Sequence, residues 1–422
     1  MSLGGYFNSP WPSEDGGPQR LQVPHAPTAG AQGLCLQPHE QLACVTRTTC
    51  MSTMTVLGAH GDVFLLHHSA IRSNFGLPTT ACVERIDPVT LQPLARSPRL
   101  AGGPMWPGGV AVLRNGDLLA VYGRYMHRLN RDCEVLGKLQ LPVDLPYNSF
   151  VVLDNGLVVT KNLSDCMPAR LTVVHPESLD RACADIECPE PSIARLSAIG
   201  NSVYVVGIRS IFRYHWSETT QTLVKDQEWR FDYIGQTTQS YGWDVVLDGK
   251  QAWFMDNGKH RYRISMLGAG VSRTPNRLLR VSLQDAADHQ AWDVSGMVGG
   301  SITNPPLFDV QRSIVVGYDS ANRFLQAWRF DAVTRSLEPL WHKNVFGCAS
   351  HMILFPQTGE LVVNDYRHRG EEIVLMQIAT GQELGRVRSG GLMQGVVFPS
   401  VGWDRDFYWA SMGKLARVFV QG

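Results

Sequence analysis

Long apolar stretches are missing from this sequence. None exceeds about six residues, whereas a helix crossing a bilayer needs about 20, so membrane insertion is not expected. An excess of one charge is missing too: 38 Lys and Arg balance 38 Asp and Glu, which argues against a general binder of nucleic acid or anionic membrane. The N-terminus as given shows no basic segment running into an apolar one, so a cytoplasmic protein is expected. Cysteines are few, odd in number and scattered, nine in 422 residues, which suits reduced thiols better than a disulfide framework. Cys183 and Cys188 ("CADIEC") form the one close pair, and without a second pair at zinc-like spacing they read as packing residues. "GxSxG" is absent, which removes the usual serine nucleophile turn.

Helical periodicity is also lacking. Residues 1–38, rich in Pro, Gly and Gln, read as an extended N-terminal arm, and residues 39–422 as one β domain of short apolar runs broken by Gly, Asn and Asp. A phrase recurs in that domain: apolar strand, tight polar turn, stronger apolar strand, polar loop, alternating strand, turn, weaker strand. The tight turns centre on Gly61, Gly116, Gly156, Asn201, Gly249, Gln311, Gly359 and Arg405. Asn-Gly and Asp-Gly mark several of them, as hairpins requiring positive φ do. The spacing averages about 49 residues, that of a four-stranded propeller blade. The strands after the turns align as "VFLLH", "DLLAVYG", "GLVVTK", "VYVVGI", "AWFMD", "SIVVGYD", "ELVVND" and "FYWAS". The fold class is therefore all-β: an eight-bladed β-propeller of four-stranded antiparallel blades. The last blade has only three strands of its own, and an open edge invites pairing with other chains. Residues 42–48 ("LACVTRT") are expected to supply the fourth and close the ring. Insertions are expected after Ser69 and over residues 256–276.

The segment "VLMQIATGQELGRVRSGG", with a looser copy in "RIDPVTLQPLARSP", resembles the repeat of PQQ-like, quinoprotein-type propellers. The resemblance implies the architecture over residues 50–422. The dehydrogenases of that group hold their quinone with a vicinal disulfide and a Trp platform. No adjacent cysteines occur here, so PQQ is not expected. The Trp and Tyr residues in "QAWFMD", "LQAWRFD" and "DFYWASM" are assigned to packing between blades.

In such a ring the ends of the second strands and the starts of the innermost strands meet at one channel mouth. The first column reads His67 and His68, Arg124, Lys161, Arg209, Asp256, Asp319, Asp365 and Ser411, with Arg367 or His368 beside Asp365. The second reads Trp106, Tyr147, Asn148, Ser192, Tyr241, Trp243, Asp244, Asn304, His351 and Gln394. Cations fall on one half and carboxylates on the other. A cleft so polarised concentrates a small anionic or zwitterionic ligand, with Arg124, Tyr147, Asn148, Lys161, Arg209, Trp243, Asn304, His351 and Gln394 as its contacts. Asp256, Asp319 and Asp365 form a candidate all-oxygen site for Ca²⁺ or another divalent cation, which would suit a metal-assisted hydrolase or lyase. His67 and His68, adjacent on a strand, point to opposite faces and cannot share an ion. The competing reading is a non-catalytic scaffold for a protein partner. A deep polar mouth favours the first reading. A mouth whose acids are already paired with arginines favours the second.

Overall fold

The computed structural model describes residues 4–25, 29–104, 106–235, 238–367 and 370–422. Its sheets form eight blades. Blades two to seven are single four-stranded antiparallel sheets over residues 109–140, 147–187, 197–232, 246–293, 307–344 and 353–388, each paired in chain order. Blades one and eight are joined by β1 (Gln41–Leu57), a strand of 17 residues. Its first half pairs residue for residue from Gln41↔Gln421 to Thr48↔Lys414, completing blade eight. After a bulge at which Met51 takes φ 50°, its second half pairs with Val63–His68 as the innermost strand of blade one. The expected closing strand is thus present, and it continues without a break into the first blade.

Residues of alternate strand faces make wedge-shaped cores between neighbouring blades. Trp253 of blade five is fully buried, stacked on Phe308 and edge-on to Phe330 of blade six, with centroids 4.9 and 5.0 Å apart. Trp409 and Tyr408 are buried among blades seven, eight and one. Each large ring buried this way contributes about 1.5–3 kcal/mol. Cys183 and Cys188 lie at one such core, and all nine cysteines are unpaired.

The tight turns lie on one face, here the lower. Gly61, Gly116, Gly156, Gly249 and Gly359 sit there at φ between 72° and 95°, a region closed to most side chains. The upper face carries the loops between second and third strands and the connections from blade to blade. Two features close the channel between the faces. From below, residues 4–25 lie across the inner strands, with Trp11, Asp15, Arg20 and Gln22 almost fully buried. Backbone amides of Leu57, Val112, Ala198, Leu247 and Leu354 donate to carbonyls of this arm, so five blades hold it. From above, residues 257–276 of blade five reach across the mouth. The Ile264 carbonyl accepts from the Gln394 amide, the Met266 amide donates to Gln394 Oε1, and the Gly268 amide donates to Ala321. No described helix is long and apolar enough to cross a membrane.

Candidate functional site

The arm presents an acidic turn to the channel. A 3-10 turn at Glu14–Gly16 and positive φ at Asp15, Arg20 and Gln22 (53°, 57° and 60°) aim three charged or polar side chains inward. Non-glycine residues seldom adopt such φ, and here buried hydrogen bonds offset the strain. Arg20 donates to Glu14 Oε2 at 3.0 Å, Asp15 Oδ2 at 3.1 Å, Ser149 Oγ at 3.0 Å and the Leu196 carbonyl at 2.8 Å. Arg195, from the start of blade four, donates to Glu14 Oε1 at 2.9 Å and to the Asn148 carbonyl at 2.5 Å. Its guanidinium also covers the Phe398 ring at 4.2 Å, and His351 stacks on the same ring at 3.9 Å. His351 Nδ1 lies 2.8 Å from Asp15 Oδ1, close but not aligned as a hydrogen bond. Burial pushes the Asp15 carboxyl up, yet His351 and Arg20 more than offset this and hold it below its ordinary value. Gly109 makes room for the acid: a Cβ there would stand 2.2 Å from Glu14 Oε1.

The sequence-predicted residues divide into two groups. Asn148, Lys161, Trp243, Asn304, His351 and Gln394 line the channel and its upper end, all buried. Lys161 Nζ donates to the Ser192 carbonyl at 3.2 Å, and burial lowers its pKa to about 7. Asn304 Nδ2 donates to the Ala349 carbonyl at 2.6 Å, and Gln394 Nε2 to Gly347 at 2.7 Å. Trp243 is stacked between Trp106 and His260, 6.4 Å from each. The others stand apart. Arg124 pairs with Asp144 at 3.2 Å beside its own blade, and Tyr147 packs into a core between blades. Arg209 is exposed at a separate shallow pocket of about 400 Å³ with Lys259 and Tyr241.

The three aspartates expected to share a cation are each held within their own blades and connections. Asp256 is bound by Arg277 at 2.7 Å, and burial raises its carboxyl to about 6 despite that partner. Asp319 accepts from Ser295 Oγ at 2.6 Å, Asn322 Nδ2 at 2.8 Å and the Ser301 amide at 3.1 Å. Asp365 accepts from Arg367 at 2.5 Å, Arg386 at 2.9 Å and the Gly347 amide at 2.8 Å. Asp365, at the start of the charged loop after blade seven's second strand, therefore pins the connection arriving from blade six, and His368 lies outside the described residues. Among the described residues, two groups bring potential metal ligands together: Asp15, Asp244 and His351, and His67, Cys82 and Glu84. In both, arginine stands where a cation would. Arg20 lies 3.1 Å from Asp15 and 4.0 Å from Asp244, and Arg47 and Arg96 both bind Glu84. A quinone does not fit either, because the axis holds Glu14, Asp15 and Arg20 and the channel Trp is sandwiched by other rings.

Sequence reasoning missed Glu14, Asp15, Arg20, Gln22 and Arg195. The arm has no period to read, and the one local signal is "SEDGGPQR", a charge cluster set among turn residues.

No protein-family model matches the sequence, and no curated protein matches it. Solved structures do. The quinohemoprotein alcohol dehydrogenase ADHIIG from Pseudomonas putida HK5 superposes with a TM-score of 0.61 at 9% identity, covering 99% of this chain and 80% of that one. Virginiamycin B lyase from Staphylococcus aureus gives 0.49 at 8% identity, covering 90% and 99%, and U3-55K gives 0.49 at 8%, covering 91% and 99%. At such identities the first likeness is one of fold alone, and the other two add nothing to it. The chain is an eight-bladed β-propeller, similar in fold to that quinohemoprotein alcohol dehydrogenase.

Proposed function

We propose that this propeller is a non-catalytic interaction platform whose upper face docks an acidic, aliphatic-rich segment of a protein partner. The observation that carries the reading is the roof over the channel. Residues 257–276 expose Arg261, Arg263 and Arg273, for which no ion pair exists among the described residues, together with Ile264, 58% exposed. Around them stand Leu392 (77%), Val298 (70%) and Val345 (61%) from the next connections. Asn322 and Arg323 of blade six donate to the Val298 and Val345 carbonyls, which places these side chains on the same face. Exposed aliphatic residues ringed by unpaired cations mark an interaction surface. Two of the three mouth acids, Asp256 and Asp365, are paired with arginines, the condition that favours a scaffold over a channel-mouth enzyme, and Asp319 is taken up by neutral donors. Nine unpaired thiols suit a reducing compartment such as the cytoplasm.

The test is fluorescence polarisation with a labelled peptide of alternating Glu and Leu, against its Lys and Leu counterpart. The acidic peptide should bind and weaken with salt. R261E/R263E/R273E should reduce binding at least about tenfold without moving the melting temperature. Equal binding of both peptides, or an unaffected triple variant, would sink the reading.

A further inference from the structure

The lower face carries a cleft of about 660 Å³ between residues 18–25 of the arm and the tight turns of blades three to seven. Volumes of this order suit a small organic molecule. Its walls are apolar: Leu21 and Val23 from the arm face Ile199, Phe308, Val310 and Leu354. Leu21, Val23 and Ile199 are only half-buried, and Val310 is 52% exposed, so apolar surface remains for a guest to cover.

The charges around the cleft have one sign. Among the described residues no Lys or Arg lines it, while Asp154, Asp248 and Asp309 do. Asp309 is neutralised by Arg312 at 2.8 Å. Asp248 accepts from the amides of Lys250 and Gln251 at 2.7 and 2.6 Å and from Trp253 Nε1 at 3.2 Å, all neutral donors, while Arg280, which attracts it, is bound to Asp288 instead. Asp154 is exposed, with no side-chain partner among the described residues. On the arm side, His25 has a buried Nε2 without a hydrogen-bond partner. Burial lowers its pKa to about 4, so the ring is neutral at pH 7.

We propose that this cleft binds a small amphiphilic cation, its apolar body against Leu21, Val23, Phe308 and Val310 and its ammonium group toward Asp154 and Asp248. The site is independent of the upper-face docking surface and lies at the opposite end of the channel. Apolar burial supplies affinity, and the carboxylates of Asp154 and Asp248, neither in an ion pair among the described residues, supply the preference for positive charge.

Isothermal titration with three matched probes tests this: phenylbutylamine, phenylbutyrate and phenylbutanol. The amine should bind at one site per chain, at least about tenfold tighter than the alcohol, with the carboxylate weakest. D154N should erase most of the amine's advantage over the alcohol. V310R, at an exposed position, should abolish amine binding while the melting temperature stays put. Equal affinity for all three probes, or amine binding unchanged in both variants, would overturn the proposal.

Discussion

Arg20 shows how a single residue can decide whether the arm is held. It is 1% exposed and touches two carboxylates, a hydroxyl and a carbonyl. Removing one partner of a buried ion group strands the others and costs about 3–5 kcal/mol, so R20M should lose that much stability in denaturant unfolding. E14Q added to R20M should recover part of it. A loss under about 1 kcal/mol would show that the arm is not held by charge. Lys161 makes a prediction of the opposite kind. Its folded pKa of about 7 lies well below the ~10.4 of an exposed lysine. Between those values the unfolded chain holds a proton that the folded protein lacks, so this group's contribution to stability improves as pH rises from 7 and is least favourable below 7. K161M should therefore melt higher than the natural protein by a margin greatest near pH 6 to 7 and smaller by pH 9. A margin independent of pH would mean the ammonium is not desolvated.

Among the elements, β1 bears the greatest burden because it belongs to two sheets. T46P places a residue without an amide opposite Ala416, in the half that completes blade eight. It should lower the unfolding midpoint and bring concentration-dependent aggregation, since the edge Met412–Gln421 is then unpaired. T46V should differ from the natural protein by no more than about 0.5 kcal/mol. If T46P stays monodisperse at high concentration, ring closure does not depend on this ladder. The same element shows what the sequence makes legible. "LACVTRT" alternates as a strand, and the eighth repeat lacks one, so arithmetic alone pairs the two. The arm's Glu14, Asp15 and Arg20 follow no such arithmetic. Their partners Arg195, Ser149 and Asp244 lie more than 100 positions away, and nothing local fixes which blade a Pro- and Gly-rich segment will cross.

For the whole molecule, eight repeats determine an architecture but not a pocket. Placing Lys161, Asn304, His351 and Gln394 around one channel needed only the period of the blades and the alternation of strands. Whether that channel is open depended on two non-repetitive segments, residues 4–25 and 257–276, and repeat counting is silent about both. The polarised guest inferred from the sequence has a counterpart in the structure: it is the chain's own acidic turn, seated against Arg195 and His351 and neutralised by Arg20. The aspartates of blades five to seven fail to converge because each second strand ends beside an arginine or a cluster of neutral donors in its own neighbourhood.

The long strand shared by the first and last blades also sets a timetable for synthesis. Residues 41–48 are made long before the strand they must pair with, Met412–Gln421. Through most of translation both margins of the growing sheet array stay unsealed. Until that strand is made, the growing array is a crescent with two open sheet edges rather than a ring, and association between unfinished chains should be greatest while those edges wait for each other.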